Sequence, residues 1–151
     1  MIDFGKLSAQ LHKGKIINPT EIFMSLPEKS AKYAYLRNVQ AEVLDQWFLQ
    51  RDRKDNIIKM NTGSGKTTVA LLILKSCLNE HGGHAAYVVP DNYLVGQVMR
   101  EAHELGIHAT TSETDINSIT GESLLILNIQ KLFNGKSVLE MRTSGNIQLN
   151  Y

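Results

Sequence analysis

Short apolar runs alternate along the chain with longer stretches of helical periodicity. Runs of this length, bounded by polar residues, glycine or proline, are typical of buried strands. They predict four strands, at Ile57–Met60, Ala85–Val89, Ile107–Thr110 and Leu124–Leu127. Because helical segments separate these strands, we expect an α/β fold with a mostly parallel sheet and flanking helices.

The helices are indicated by apolar side chains that recur every three to four residues. The clearest such pattern predicts a helix from Arg37 to Gln50. Its buried face is expected to consist of Val39, Val43, Leu44, Trp47 and Phe48. Three further helices are predicted at Thr67–Asn79, Asp91–Leu105 and Ile129–Phe133.

Residues that commonly end helices lie at the boundaries of these segments. Asn18, just before Pro19, and Asp91 are predicted N-caps, because their side chains can accept hydrogen bonds from the first backbone N–H groups. Gly82 and Gly106 are predicted to end helices, because glycine readily adopts the left-handed conformation found there.

The first residues differ from the rest, since they precede the regular alternation of strands and helices. We therefore divide the chain into an N-terminal helical preamble, residues 1–34, and an α/β unit, residues 35–151. The helix that starts at Pro19 is expected to bury Ile22, Phe23 and Leu26.

Composition excludes several classes of protein. The 151 residues include 16 Lys and Arg against 15 Asp and Glu, so a polybasic nucleic-acid coat is excluded, although a local nucleic-acid surface is not. The single cysteine excludes an internal disulfide framework. The N-terminus lacks a secretory pattern, and the longest apolar stretch, Val69–Leu74, is too short to cross a bilayer. We expect a cytoplasmic protein without a membrane partner.

The strongest chemical signal is the segment Met60–Thr68, MNTGSGKTT, which we call the phosphate loop. It joins a predicted strand to a predicted helix, and its glycines let successive backbone N–H groups point at phosphate oxygens. In such a loop Lys66 reaches the β- and γ-phosphates, and the Thr67 hydroxyl holds Mg²⁺. The predicted nucleotide-binding residues of the loop are Thr62, Gly63, Ser64, Gly65, Lys66, Thr67 and Thr68.

The stretch Thr62–Thr67 resembles motif I of superfamily-two helicases and translocases, which include the DEAD/DEAH-type helicases and the motor subunits of restriction enzymes. In that group Ala or Met commonly occupies the position of Met60. The resemblance implies an incomplete RecA-like P-loop domain, ATP and Mg²⁺ as cofactors, and DNA or RNA as a partner. It also implies that Lys66 and Thr67 serve catalysis.

A second segment, Tyr35–Gln40, resembles the adenine-recognition segment of the same family. An amide such as that of Gln40 can pair with the N6 and N7 edge of adenine. The planar guanidinium of Arg37 can stack on the base. The resemblance therefore adds Arg37 and Gln40 to the predicted nucleotide site.

Two segments after the phosphate loop extend the resemblance. Val89–Gln97 resembles motif Ia, which contacts the backbone of a bound nucleic-acid strand in the family. The residues expected to make that contact are Pro90, Asn92, Tyr93 and Gln97. Leu127–Phe133 resembles the region around motif Ib, with Asn128 where the family usually has Thr.

The acidic motif that hydrolysis requires in this family is missing, since the sequence contains no Asp-Glu dipeptide. The strand Leu124–Leu127 is followed by the neutral Asn128 instead. We therefore expect the front part of the first motor lobe, truncated before the acidic Walker B strand and catalytically incomplete. The uncovered edge at Ile57–Met60 would then need the remainder of the motor, another chain or the tail at 146–149.

Two other functions stay open. A P-loop kinase or small NTPase would share the phosphate loop, but the Arg-rich lid expected of such an enzyme is not visible in the sequence. A non-enzymatic nucleotide- or partner-binding module with a vestigial phosphate loop would agree with the absent acidic motif.

Overall fold

A computed structural model of the chain describes residues 14–115, 117 and 120–133. Four longer helices and a final short one surround a small sheet in this part of the chain. The elements in chain order are α1 (Pro19–Ser25), a 3₁₀ turn (Ala31–Tyr33), α2 (Asn38–Leu49), α3 (Lys66–His81), β1 (Ala86–Val89), α4 (Asn92–Leu105), β2 (Ala109–Thr110), β3 (Leu124–Asn128) and α5 (Ile129–Phe133).

The sheet has three parallel strands in the order β1-β3-β2. Ala86 of β1 is in register with Leu125, and Ala109 of β2 is in register with Leu124. All five residues of the central strand β3 are buried, as expected of a parallel strand covered on both faces. The predicted α/β fold with a parallel sheet and flanking helices is confirmed.

One predicted strand is absent, because residues 55–61 form neither helix nor strand. The prediction of a buried strand at Ile57–Met60 is therefore wrong, and Ile57 is 98% exposed. A strand needs a neighbour that pairs with its backbone N–H and C=O groups. Among the described strands, β1 and β2 pair with β3, and none lies beside this segment. The tail at 146–149, expected as a cover for it, lies outside the described residues.

The predicted caps Asn18, Asp91 and Gly106 are confirmed, and Gly82 ends α3 as predicted, but with a ψ of −160° that is outside the left-handed helical region. Asn18 Oδ1 accepts hydrogen bonds from the backbone N–H groups of Thr20 and Glu21, at 2.9 and 3.2 Å. Asp91 Oδ1 accepts from the backbone N–H of Leu94 at 2.9 Å. Gly106 follows α4 with a φ of 81°, in the left-handed conformation that glycine adopts without strain.

The core centres on α3, whose Leu71 and Leu72 are fully buried. Helix α2 contributes Leu44 and Trp47 to the buried residues, whereas Val39, which was expected on the same buried face, is 43% exposed. Val39 lies in the first turn of α2.

The N-terminal segment packs on the same core. Ile22 and Phe23 of α1 join the cluster that includes the leucines of α3. The Ser76 hydroxyl of α3 donates to the backbone C=O of Ile17, and Asn79 Nδ2 donates to that of Ile16 at 2.7 Å. The described contacts therefore run across residue 34, and the division into 1–34 and 35–151 stays a prediction.

Candidate nucleotide and nucleic-acid site

The phosphate loop turns sharply just before α3. Gly63 and Gly65 have φ values of 77° and 83°, which non-glycine residues rarely adopt. Between them, the Ser64 hydroxyl donates to the backbone C=O of Asn61 at 2.5 Å, and the Ser64 N–H donates to the same oxygen at 3.2 Å. The loop is thus closed on itself before the helix begins.

The N-terminus of α3 suits an anionic ligand. The first backbone N–H groups of any α-helix have no partner within the helix, and they carry the positive end of its dipole. Gly65, the N-cap residue, offers no side chain to satisfy them. Lys66 is exposed and Thr67 is partly buried at this end. This donor set fits the phosphates of a nucleotide with Mg²⁺.

Two predicted adenine-site residues contact the loop. Arg37 Nη1 donates to the backbone C=O of Gly63 at 2.7 Å. Gln40 is only 6% exposed, and both ends of its amide are engaged. Its Oε1 accepts from the backbone N–H of Arg37 at 3.0 Å, and its Nε2 donates to the C=O of Gly65 at 3.3 Å. The structure thus places Arg37 and Gln40 beside the phosphate loop.

Thr68, the third residue of α3, is more buried than Lys66 and Thr67 before it. Thr68 is 2% exposed, and its hydroxyl donates to Glu101 Oε1 of α4 at 2.7 Å. The predicted nucleotide-binding residue Thr68 therefore faces the protein interior and α4.

The residues predicted to contact nucleic acid lie at the start of α4. Tyr93 is 72% exposed, and its hydroxyl accepts from Gln97 Nε2 at 3.3 Å. Pro90 is exposed just before the helix. Asn92 Oδ1 accepts from Asn128 Nδ2 at 2.5 Å, so the side chain of Asn92 is tied to the end of β3.

The sequence marks Asn128 as a neutral residue after a strand and as the residue that replaces the usual Thr of motif Ib, but it does not indicate two contacts of its side chain. Besides its bond to Asn92, Asn128 accepts the backbone N–H of Lys131 at 3.0 Å and thereby caps the start of α5. An Asn directly after a buried strand and before a short helix could have suggested the cap. Its link to α4 joins residues 36 positions apart, and no local pattern indicates it.

Glu101 is the second residue that the sequence did not single out. Together with Thr67, Pro90 and Gln97 it lines a cleft of about 530 Å³ beside the phosphate loop. Its carboxylate also lies near Tyr33, whose pKa is raised chiefly by burial and further by the negative charge of Glu101. Glu101 therefore brings an acidic group to the cleft that the start of α3 and the start of α4 share.

No helix in the described part of the chain is long and apolar enough to span a membrane. Searches of curated proteins and of solved structures give no match.

The comparison with protein families gives one clear result. Residues 34–148 match the family described as type III restriction enzyme, res subunit. This match includes the phosphate loop, the whole sheet and the α4 segment. The chain therefore belongs to the family of type III restriction enzyme res subunits, and it carries a superfamily-two helicase-like, RecA-type region of an ATP-dependent nucleic-acid motor.

Proposed function

We propose that the phosphate loop of this motor region binds the phosphates of ATP together with Mg²⁺. The observation that carries the proposal is the left-handed Gly65 directly before the N-terminus of α3, which no side chain in the described part of the chain caps. Lys66 then contacts the β- and γ-phosphates, and the Thr67 hydroxyl contacts the metal ion. Held at Thr67, Mg²⁺ would supply positive charge that offsets the negative charge of the phosphates.

Titration calorimetry of Mg²⁺-ATP against wild type and Lys66→Ala tests the proposal. A charge-assisted hydrogen bond to phosphate predicts a loss of about 2 kcal/mol in binding free energy for the variant. Lys59→Ala is a matched control, because Lys59 is exposed but precedes the loop. Equal affinity of wild type and Lys66→Ala would refute the assignment.

The adenine side of the site is proposed to involve Arg37 and Gln40. Contact of the Gln40 amide with the base requires that it exchange its present bonds to Arg37 and Gly65 for the N6 and N7 edge of adenine. Guanine presents an acceptor where adenine has its amine, so we expect ATP to bind more tightly than GTP. Gln40→Ala removes both the donor and the acceptor of the amide, and it should narrow the difference in affinity between ATP and GTP.

We also propose that the start of α4 binds a strand of DNA or RNA. The exposed Tyr93 ring, Pro90 and Gln97 lie at the end of α4 that follows β1. Stacking of a base on an aromatic ring is worth about 1–3 kcal/mol, so Tyr93→Ala should weaken binding of a single-stranded oligonucleotide. Fluorescence anisotropy at two salt concentrations measures this, since phosphate contacts weaken as salt rises. An unchanged affinity in Tyr93→Ala would remove Tyr93 from the surface.

A non-enzymatic nucleotide-binding role is the second candidate. It is favoured by the acidic motif that is missing from the sequence, which contains no Asp-Glu dipeptide. Nucleotide binding without turnover distinguishes this role from that of an ATPase.

A further inference from the structure

A buried hydrogen bond joins the helix of the phosphate loop to the helix proposed to bind nucleic acid. Thr68 lies in the first turn of α3, directly after Thr67, and its hydroxyl donates to Glu101 on α4 at 2.7 Å. Because Thr68 is 2% exposed, water cannot readily replace Glu101 as its partner. Breaking the bond would leave a buried hydroxyl unsatisfied, which costs about 1–3 kcal/mol.

The position of Glu101 on α4 links this contact to the residues near the start of the helix. Glu101 follows Asn92 by nine residues on one continuous helix, a rise of about 13 Å at 1.5 Å per residue. A helix of this length moves largely as a rigid element. A shift at Thr68 is therefore carried to Gln97, about one turn from Glu101, and to the exposed Tyr93 near the start of the helix.

The negative charge of Glu101 makes its contact with Thr68 sensitive to phosphate bound nearby. Its carboxylate lies at the N-terminal turn of α3, where the helix dipole favours negative charge. Phosphates that enter the loop use the same N-terminus, and their negative charge repels the carboxylate. Bound nucleotide therefore acts on the Thr68–Glu101 pair more directly than on other parts of α4.

Other polar contacts hold α4 to parts of the protein outside α3. Asn92 bonds to Asn128, the backbone C=O of Glu104 accepts from Ser30, and the Glu104 carboxylate pairs with Lys32 at 3.2 Å. Glu104 thus lies on the same helix as Glu101, close to it in sequence, but its polar partners come from the N-terminal segment. It provides a matched comparison for Glu101.

We propose that Glu101 is a positioning residue that couples nucleotide in the phosphate loop to nucleic acid at the start of α4 through its bond to Thr68. The inference rests on the proposed function, since it assumes that both ligands bind where described above. Glu101 contacts neither ligand in this scheme. It sets the position of α4 relative to α3.

The experiment measures how much each ligand changes the affinity for the other. A labelled single-stranded oligonucleotide is titrated with and without a non-hydrolysable ATP analogue and Mg²⁺, and the nucleotide is titrated with and without the oligonucleotide. The two ratios must agree, because coupling between binding sites is reciprocal. We call this ratio of affinities, with and without the other ligand, the coupling factor. In wild type we expect a coupling factor of about 5 or more, the lower end of the typical range.

Five variants test the role of the bond, and one of them, Thr68→Val alone, removes the donor and should lower the coupling factor. Glu101→Ala removes the acceptor and should bring the coupling factor close to 1. Glu101→Gln retains an oxygen that can accept from Thr68, so it should keep a larger coupling factor than Glu101→Ala. Thr68→Val combined with Glu101→Ala should lower coupling no further than Glu101→Ala alone, since both changes remove one bond. Glu104→Gln, the control, should leave the factor at the wild-type value.

The outcomes separate this inference from the proposed function. Wild-type coupling that persists in Glu101→Ala would overturn the role of Glu101, and so would wild-type binding of both ligands without coupling. Absence of binding of either ligand in folded wild type would instead refute the proposed function and, with it, the inference. If Glu101→Ala does not fold, as judged by circular dichroism, Glu101→Gln and Thr68→Val decide: coupling equal to wild type in Thr68→Val would refute the proposal.

Discussion

Gly65 combines a backbone requirement with a steric one. Its φ of 83° disfavours any residue with a Cβ, and a Cβ at this position would collide with the Gln40 amide. Gly63 has a similar φ of 77°, but the space around its missing side chain is open. A comparison of substitutions at the two positions therefore distinguishes the effect of backbone strain from the effect of displacing Gln40.

Gly65→Ala is expected to be more harmful than Gly63→Ala. Left-handed backbone costs a non-glycine residue about 1–2 kcal/mol at either position, and Gly65→Ala also breaks the contact between Gln40 and the loop. We expect Gly65→Ala to lose more nucleotide affinity and more unfolding free energy. Calorimetry and urea unfolding of both variants measure this, and equal effects would argue against a role of Gln40 in holding the loop.

The buried hydroxyl of Tyr33 is expected to lower the stability of the fold. It is 7% exposed, and its hydroxyl has no hydrogen-bond partner among the described residues, although the Lys32 ammonium lies over its ring at 5.0 Å from the centroid. Tyr33→Phe removes an unsatisfied polar group, so it should raise the free energy of unfolding by about 1 kcal/mol at pH 7.

The pH dependence of Tyr33 has a defined sign. Burial raises its pKa above the ordinary value of 10.0, so the unfolded chain releases this proton first as pH rises. Ionisation of Tyr33 therefore leaves the free energy of unfolding unchanged below about pH 10 and lowers it as pH rises above that value. Urea unfolding at pH 8 and pH 10.5 should therefore show a smaller loss for Tyr33→Phe than for wild type, and an equal loss would contradict the assignment.

At the scale of elements, the end of α2 is fastened to the end of α3 by Arg51. Its Nε donates to both carboxylate oxygens of Glu80 at 3.2 Å, its Nη1 donates to the C=O of Phe48, and its guanidinium lies 4.3 Å from the centre of the Phe48 ring. The side chains of Arg51 and Glu80 are 27% and 21% exposed, compared with 65% and 43% for the pair Lys32–Glu104.

A double-mutant cycle on each pair tests the importance of this burial. Exposed ion pairs contribute about 0–1 kcal/mol, and partly buried pairs with two bonds contribute more. We expect a coupling energy of about 1 kcal/mol for Arg51 with Glu80, measured by urea unfolding of Arg51→Ala, Glu80→Ala and the double variant. The same cycle on Lys32 and Glu104 should give a value near zero, and the reverse order would contradict the argument.

What the sequence predicts depends on how local each element is. The caps Asn18, Asp91 and Gly106 act within a few residues, so the sequence predicted them correctly. The segment Ile57–Met60 has strand-like composition, but a strand forms only beside a partner, and its partner cannot be inferred from composition.

The candidate site shows the same division. The phosphate loop and the helix after it follow from a contiguous motif, whereas the bond between Thr68 and Glu101 joins residues 33 positions apart. Only the packing of α3 against α4 brings them together.

At the scale of the whole molecule, we expect that the chain does not complete a hydrolytic site on its own. Lys66 and Thr67 can bind phosphates and a metal ion, but an acidic pair must complete the metal shell and orient the attacking water. The 151 residues contain no Asp-Glu dipeptide. We therefore expect this polypeptide to release phosphate from ATP at a rate near background, with or without single-stranded DNA or RNA.

A phosphate-release assay on wild type and Lys66→Ala measures this. Multiple-turnover hydrolysis that disappears in Lys66→Ala would contradict the prediction, and it would show that another acidic residue of the chain completes the site.

The connection between α2 and α3 has a consequence for the integrity of the chain. Residues 50–65 form neither helix nor strand, and a protease that cuts after the exposed Lys59 would meet little structure there. The fragments 1–59 and 60–151 would still share one core, because Ile22 and Phe23 cluster with the leucines of α3. The nicked protein should therefore behave as a non-covalent complex of two pieces. Each half could then be produced separately, labelled and reassembled with the other.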